Sequence, residues 1–211
     1  IVVVTTLVGV GVAVFGNSYY LGTGSTLFKG SLANVMKFTD AGVEAADFTP
    51  PFGGNQTSEI EVLSDGKILA VGTTSTPGVW RLNRDGSYDA TFPAVAINNH
   101  VRALEVLPDG QILIAGDFTT VNGQPRNHIA RLSADGHLEM SFTASSDSHV
   151  YALARRSDGA INIGGSFTTI NGQPHAALAR LTPTATVDSA FTPTVNGPVY
   201  SLLSTPDDQL I

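Results

Sequence analysis

The sequence contains no cysteine, which excludes a disulfide framework, a thiolate zinc site and a cysteine nucleophile. Charge is scarce as well: 14% of residues are charged, 11 basic against 18 acidic, for a net charge of −7. A nucleic-acid surface needs clustered Lys and Arg to meet the phosphates, and a polybasic membrane surface needs the same. Neither cluster occurs. No segment shows the 3.6-residue spacing of an amphipathic helix. The 22 glycines and 11 prolines are too many for a helical bundle and too few for a collagen-like chain. There is no Gly-x-Ser-x-Gly elbow and no His-Glu-x-x-His pair. The glycine-rich segments Gly22-Thr23-Gly24 and Gly164-Gly165 precede no helix, so a phosphate cradle at a helix N-terminus has no support.

What the sequence does have is a repeat, the feature to establish before any motif. The stretch from Pro108 to Phe142 recurs from Ser157 to Phe191, and an earlier copy runs from Ser64 to Phe92. Asp-Gly turns start at Asp65, Asp109 and Asp158, with Asp207-Asp208 at the fourth position. Basic–apolar pairs fall at Lys37-Phe38, Arg81-Leu82, Arg131-Leu132 and Arg180-Leu181. Phenylalanines close the copies at Phe48, Phe92, Phe142 and Phe191. All three series step by 44, then about 50, then 49 residues. The short step comes from one clipped connection, Thr73 to Pro77.

Each copy carries strand chemistry. Val101 to Leu107 is rich in β-branched and aliphatic residues. Gln111 to Ala115 is nearly continuous apolar chain, as in a strand buried on both faces. His128 to Leu132 and His137 to Phe142 complete a set of four, with Pro108-Asp109-Gly110 and Ser133 to Gly136 as the tight turns. Four antiparallel strands every 44–50 residues predict an all-β fold, a β-propeller-like array of four-stranded antiparallel blades. A β-solenoid is the alternative, but its coils are usually shorter and lack two tight hairpins per period. The repeats divide as residues 1–48 (degenerate), 49–92, 93–142, 143–191 and the start of a fifth at 192–211. Ile1 to Phe15 is apolar and uncharged, shorter than the roughly 20 residues of a spanning helix. The register predicts a buried strand there, with the remnant of a processed leader as the alternative. Ile211 aligns with Leu113, so we expect a part of a larger propeller, or else four blades that close by pairing their ends.

The residues Asp109-Gly110, Ile112 to Gly116, Phe118, Asn122-Gly123, Arg126, Ile129 to Leu132, Asp135-Gly136 and Phe142 resemble the bacterial delta-60 repeat. Asp158-Gly159, Gly164-Gly165, Phe167, Asn171-Gly172, Ala179 to Leu181, Asp188 and Phe191 repeat them. The likeness spans roughly Glu61 to Ile211. It departs at Thr184-Ala185, at Asp208 and at the clipped loop. The resemblance implies an extracellular or cell-surface module and brings no catalytic residues, cofactor or metal with it.

An internal repeat supplies its own control. A residue recurring at one register serves the blade, whereas a binding site is expected among residues that differ. Arg81, Arg131 and Arg180 precede Asp89, Glu139 and Asp188, which predicts cross-strand ion pairs, with a ring of cation-binding carboxylates as the sharper alternative. Asn83, Asp85 and Asp89 superficially resemble a calcium loop, but the glycine is misplaced and no Glu closes it. Asn55-Gln56-Thr57 is a glycosylation sequon, meaningful only in a eukaryotic secretory context. Strand parity puts both Asp-Gly turns on one face and the longer connections on the other, where binding residues usually sit. On that face lie His100 and His149, followed by Arg102 and Tyr151, and the loop residues Arg126 and His175. Trp80 flanks the clipped loop.

Three functions are open: a non-catalytic structural or interaction module binding through the loop face, a carbohydrate binder stacking sugars on Trp80, Tyr151 and Tyr200, and an enzyme using His100, His149 and nearby carboxylates. The first is favoured, because no convergent acid, base and stabiliser is evident. The expected partner is a protein or glycan, the rest of a longer parent chain or identical copies. Nucleic acid and a membrane span are not expected.

Overall fold

The computed structural model describes residues 10–15, 18–23, 35–39, 45–49, 56–73 and 77–211. Ile1 to Gly9, Gly24, Asn55 and the centre of the clipped loop lie outside the described residues, so the leader, sequon and loop-shape expectations rest on sequence alone. Among the described residues there is no helix, and so none long and apolar enough to cross a membrane.

The chain divides into two compact units, residues 1–95 and 96–211. The first unit holds β1 (Val10–Phe15), β2 (Ser18–Thr23) and β3 (Val35–Thr39) in one antiparallel sheet, ordered as in sequence. Its second sheet is β4 (Gln56–Val62), β5 (Ile68–Thr73) and β6 (Gly78–Leu82). Val35, Phe48, Ile60, Ile68, Ala70 and Leu82 form a core cluster, against which Ala45, Val62 and Trp80 pack.

In the second unit β7 (Val101–Val106), β8 (Ile112–Gly116) and β11 (Ile129–Leu132) form one sheet with β8 in the middle. A two-residue pair, β9 (Thr120–Val121) and β10 (Gln124–Pro125), interrupts the β8–β11 connection. The next repeat copies this arrangement with β12 (Val150–Arg155), β13 (Ile161–Gly165), the small pair β14 (Thr169–Ile170) and β15 (Gln173–Pro174), and β16 (Leu178–Leu181). Every residue of β8 and β13 is buried, as their unbroken apolar character predicts. Both begin one residue later than expected, because Gln111 and Ala160 close the turns. The fourth position of each blade is short: the segment after β11 pairs through one bridge, Leu132 to Leu138, and the one after β16 through Leu181 to Val187. Residues 139–142 then turn rather than extend, with Phe142 N–H donating to Glu139 O.

The Asp-Gly turns are three-residue loops. In the one at Pro108, Leu107 O accepts from Gly110 N–H at 2.9 Å, Leu107 N–H donates to Gln111 O at 2.8 Å, and Gly110 has φ +83°. That is a type I turn closed by a left-handed residue, a position glycine occupies without a Cβ clash. The departures from the pattern keep the shape: Ala185 stands there at φ +66° and Asp208 at +60°. Asp208 is recompensed by an ion pair with Arg156 at 3.6 Å and a bond from Ser157 N–H at 2.8 Å. The Ala185 methyl group makes no such bond; partly buried, it packs on the core instead. Ala185→Gly relieves left-handed strain but gives up that packing and frees the unfolded chain, so it is expected to leave the stability of the chain within about 0.5 kcal/mol of the parent. Asp208→Gly should not stabilise it. Denaturant midpoints of the two variants check this.

The expected Arg–carboxylate pairs form in part. Arg81 bonds Asp89 at 2.6 Å and Arg180 approaches Asp188 at 3.6 Å. Arg131 does not reach Glu139: its Nη1 donates to Pro183 O at 3.2 Å and its guanidinium lies 4.6 Å from the Phe142 ring centre. The Arg–Phe contact recurs at Arg81 over Phe92 and Arg180 over Phe191. Phe92 and Phe142 are buried, but Phe191 is only half-buried, so the three are not equivalent core anchors.

Candidate functional site

Three first strands, β4, β7 and β12, carry a β-bulge at the same register, whereas β1 pairs with β2 without one. Pairing of β4 with β5 skips Ser58, that of β7 with β8 skips Arg102, and that of β12 with β13 skips Tyr151. A bulged residue is freed from the ladder and its side chain is re-aimed. Strand alternation alone would not place these side chains as they are. The bulge also brings backbones together, which demands glycine opposite. A Cβ on Gly116 would lie 2.1 Å from His100 O, and one on Gly165 would lie 2.2 Å from His149 O.

Fifteen residues after each bulge, immediately past that glycine, stand Thr73, Asp117 and Ser166. In the second unit the two positions are joined. Arg102 donates from Nε and Nη2 to the two Asp117 oxygens at 2.7 and 2.6 Å. Tyr151 donates its hydroxyl to Ser166 Oγ at 3.2 Å. One device thus holds two chemistries. Asp117 is 8% exposed, whereas the Arg102 and His149 side chains are 41% and 46% exposed.

These side chains form a row. The Arg102 guanidinium lies 5.3 Å from the Tyr151 ring centre, and Tyr151 stacks on Tyr200 at 5.1 Å and 17°. His149 lies 6.3 Å from Tyr151, and its Nδ1 is 3.2 Å from Asp117 Oδ1. Beneath it, His128 meets His149 edge-on at 5.5 Å. His128 is buried at φ +68°, and its Nδ1 bonds Gly116 O at 3.1 Å. Burial pushes its pKa below the usual histidine value, so His128 is a neutral structural support.

Of the candidates named from sequence, the structure brings Arg102, His149 and Tyr151 together. His100 shares the register of His149; its backbone oxygen accepts from Asp117 N–H at 2.8 Å, and its Nδ1 is buried without a hydrogen-bond partner among the described residues. Trp80 belongs to the first unit and packs on its core. Arg126 requires a correction. It is 9% exposed, not a free loop side chain, and donates to Pro125 O at 2.7 Å and to Glu139 O and Met140 O at 3.4 Å. The β9–β10 pair folds it under the loop, where its guanidinium ties that loop to the turn at residues 139–140. The half-buried His175 occupies the matching position, with its N–H donating to Thr168 O. Asp117 and His128 escaped the sequence reading. The signal for Asp117 was its spacing from Arg102, matched by Ser166 and Tyr151. Among the described residues no group of three or more His, Asp or Glu side chains is placed to hold a metal ion.

The small hairpins share a face with the segment that precedes each first strand. Ile97 bridges Val121 and Ser146 bridges Ile170. Asn122 and Asn171, at φ +50° and +51°, form the hairpin tips with Gly123 and Gly172. Asn98 Oδ1 accepts from Thr119 and Thr120 N–H, both at 2.9 Å. Asp147 does the same for Thr168 and Thr169 at 2.8 and 2.9 Å. Burial opposes charge on Asp147, but the Thr168 hydroxyl and the two N–H groups outweigh it and hold its pKa at about 2. A carboxyl depressed in this way contributes stability above about pH 4, and that contribution is lost as pH falls through 2. Asp147→Asn, which copies Asn98, should leave neutral-pH stability within about 0.5 kcal/mol and flatten the loss between pH 4 and 2. Acid titrations of both proteins followed by circular dichroism decide it.

The model of the domain of unknown function (DUF5122) beta-propeller matches residues 63–92, 107–142 and 156–191. These three stretches are similar to DUF5122 repeats, and the match covers just under half of the chain. They run from the first Asp-Gly turn to the closing phenylalanine, and the bulged strands lie just before them. No curated protein matches the chain. Among solved structures, virginiamycin B lyase from Staphylococcus aureus superposes with a TM-score of 0.65 at 16% identity, covering 96% of this chain and 62% of the lyase. The extracellular domain of the putative one component system BT4673 from B. thetaiotaomicron gives 0.56 at 13% identity, over 92% of this chain and 24% of that one. The WD40 beta propeller domain of Doa1 gives 0.54 at 14% identity, over 98% and 58%. The chain therefore spans less than two thirds of each. At these identities the likeness shows the propeller fold.

Proposed function

We propose that this propeller chain is a non-catalytic interaction module of a secreted or cell-surface bacterial protein, binding its partner along the row of Arg102, Tyr151 and Tyr200. The observation that carries the reading is that the bulge positions hold Ser58, Arg102 and Tyr151 inside strands that otherwise repeat. Scaffold positions recur; these differ, and they are re-aimed by a costly backbone irregularity. Asp117 already has both oxygens bonded by Arg102, an arrangement suited to holding a surface rather than to moving protons. The delta-60 resemblance and the extracellular BT4673 domain among the structural neighbours support an extracellular place.

Carbohydrate binding is the second reading, favoured by the Tyr151–Tyr200 stack and by Tyr200 being 68% exposed. Aromatic faces take the C–H face of a sugar while hydroxyls find hydrogen bonds nearby. The test is an array of bacterial and host surface glycans and extracellular proteins, probed with the chain and with Arg102→Ala and Tyr200→Ala. Capture that both variants lose supports the module. Capture that ignores both substitutions, or conversion of the captured ligand on prolonged incubation, contradicts it.

A further inference from the structure

The Arg102 guanidinium has five N–H groups, and Asp117 takes only two of them, from Nε and Nη2. The Nη1 pair and the second Nη2 hydrogen form a complete edge facing away from Asp117, and this edge has no partner among the described residues. The side chain is 41% exposed while Asp117 behind it is 8% exposed. A ligand approaching the row therefore meets the cation before the carboxylate. The geometry of that edge matches a second carboxylate in two parallel bonds.

Tyr151 borders both Arg102, at 5.3 Å from its ring centre, and Tyr200, at 5.1 Å. Tyr200, 68% exposed, is the open aromatic surface of the row. The cationic edge and the open ring thus both border Tyr151, so a ligand that carries a carboxylate beside an apolar ring face can meet the two together. Resting on the interaction-module reading, we infer that the row binds an acidic oligosaccharide: a uronic-acid carboxylate on the Nη1–Nη2 edge of Arg102 and a neighbouring pyranose against Tyr200. A neutral glycan would leave the guanidinium edge unmet. A cationic partner would be repelled by it.

The probe is trigalacturonic acid, titrated calorimetrically against the whole chain, with the neutral galactose trisaccharide of the same linkage as reference. Charge-assisted bonds to Arg102 predict at least about tenfold tighter binding of the acid, weakening as salt is raised. Arg102→Ala should lose that preference. Because removing Arg102 strands Asp117, Tyr200→Ala provides a second variant at an exposed position; it should weaken the acid by about tenfold with an unchanged thermal midpoint. Absence of binding, equal binding of the neutral sugar, or binding unchanged in both variants overturns this inference. If the array ligands are still captured in a manner dependent on Arg102 and Tyr200, the interaction-module reading survives that result; if capture ignores both residues, it falls as well.

Discussion

Phe118→Ala should destabilise the chain by about 3–5 kcal/mol, the usual cost of emptying a fully buried phenylalanine site. Phe118 is 0% exposed and its counterpart Phe167 is 1% exposed. The ring follows directly after β8 and Asp117, so it fixes the exit of the chain toward the β9–β10 pair. Its own carbonyl accepts from His128 N–H at 2.8 Å, which closes the base of the same excursion. The variant thus opens a cavity and loosens a hairpin together. Denaturant melts should show a lower midpoint, and for a chain of this size the thermal midpoint should drop by on the order of ten degrees. A loss below about 1 kcal/mol would show that Phe118 does not anchor the loop.

The second large effect lies in the first unit. Asp89, with a side chain 5% exposed, accepts from Lys67 at 2.7 Å, Arg81 at 2.6 Å and both the N–H and hydroxyl of Thr91, at 3.0 and 2.7 Å. Burial opposes its charge, but bonds from Lys67, Thr91 and Arg81 prevail and hold the carboxyl well below its ordinary pKa. Asp89→Ala leaves Arg81, 12% exposed, beside an empty site. Removing one partner of a buried pair costs about 3–5 kcal/mol, and the partly exposed Lys67 puts this case near the lower end. Asp89→Asn keeps the Thr91 bonds and should cost less. The sign with pH follows: the contribution is present above the unfolded carboxylate pKa near 4 and fades as acid protonates Asp89. Equal stability of wild type and Asp89→Ala at pH 7 would contradict the cluster's role.

The blade was legible because its determinants are local. Asp109-Gly110 specifies a turn, Ile112 to Gly116 a buried strand and Asn122-Gly123 a hairpin tip, each through backbone preferences that a short stretch fully states. The sequence also placed His149, Arg102 and Tyr151 on one face. It could not show why they meet, since the bulges at Arg102 and Tyr151 arise from pairing with β8 and β13 and from backbone approach at Gly116 and Gly165. Asp117 was not singled out in the sequence; its role appears only when its fifteen-residue distance from Arg102 is set beside that of Tyr151 and Ser166. Arg126 was misplaced for the opposite reason. Its position on a polar loop suggested exposure, but the β9–β10 pair folds the loop back and buries the guanidinium against Met140.

The central claim is that Arg102–Asp117 and Tyr151–Ser166 are exchangeable pairs on a constant blade. A thermodynamic cycle with Arg102→Tyr, Asp117→Ser and the double variant tests it most directly, because the double variant installs the Tyr151–Ser166 pair one repeat earlier. Each single substitution should destabilise, leaving either a buried carboxylate or a guanidinium without its partner. The double variant should recover most of the loss, with a coupling energy of about 1–2 kcal/mol read from denaturant midpoints. Losses that simply add would show that the two positions are independent and that the repeat holds no such pair.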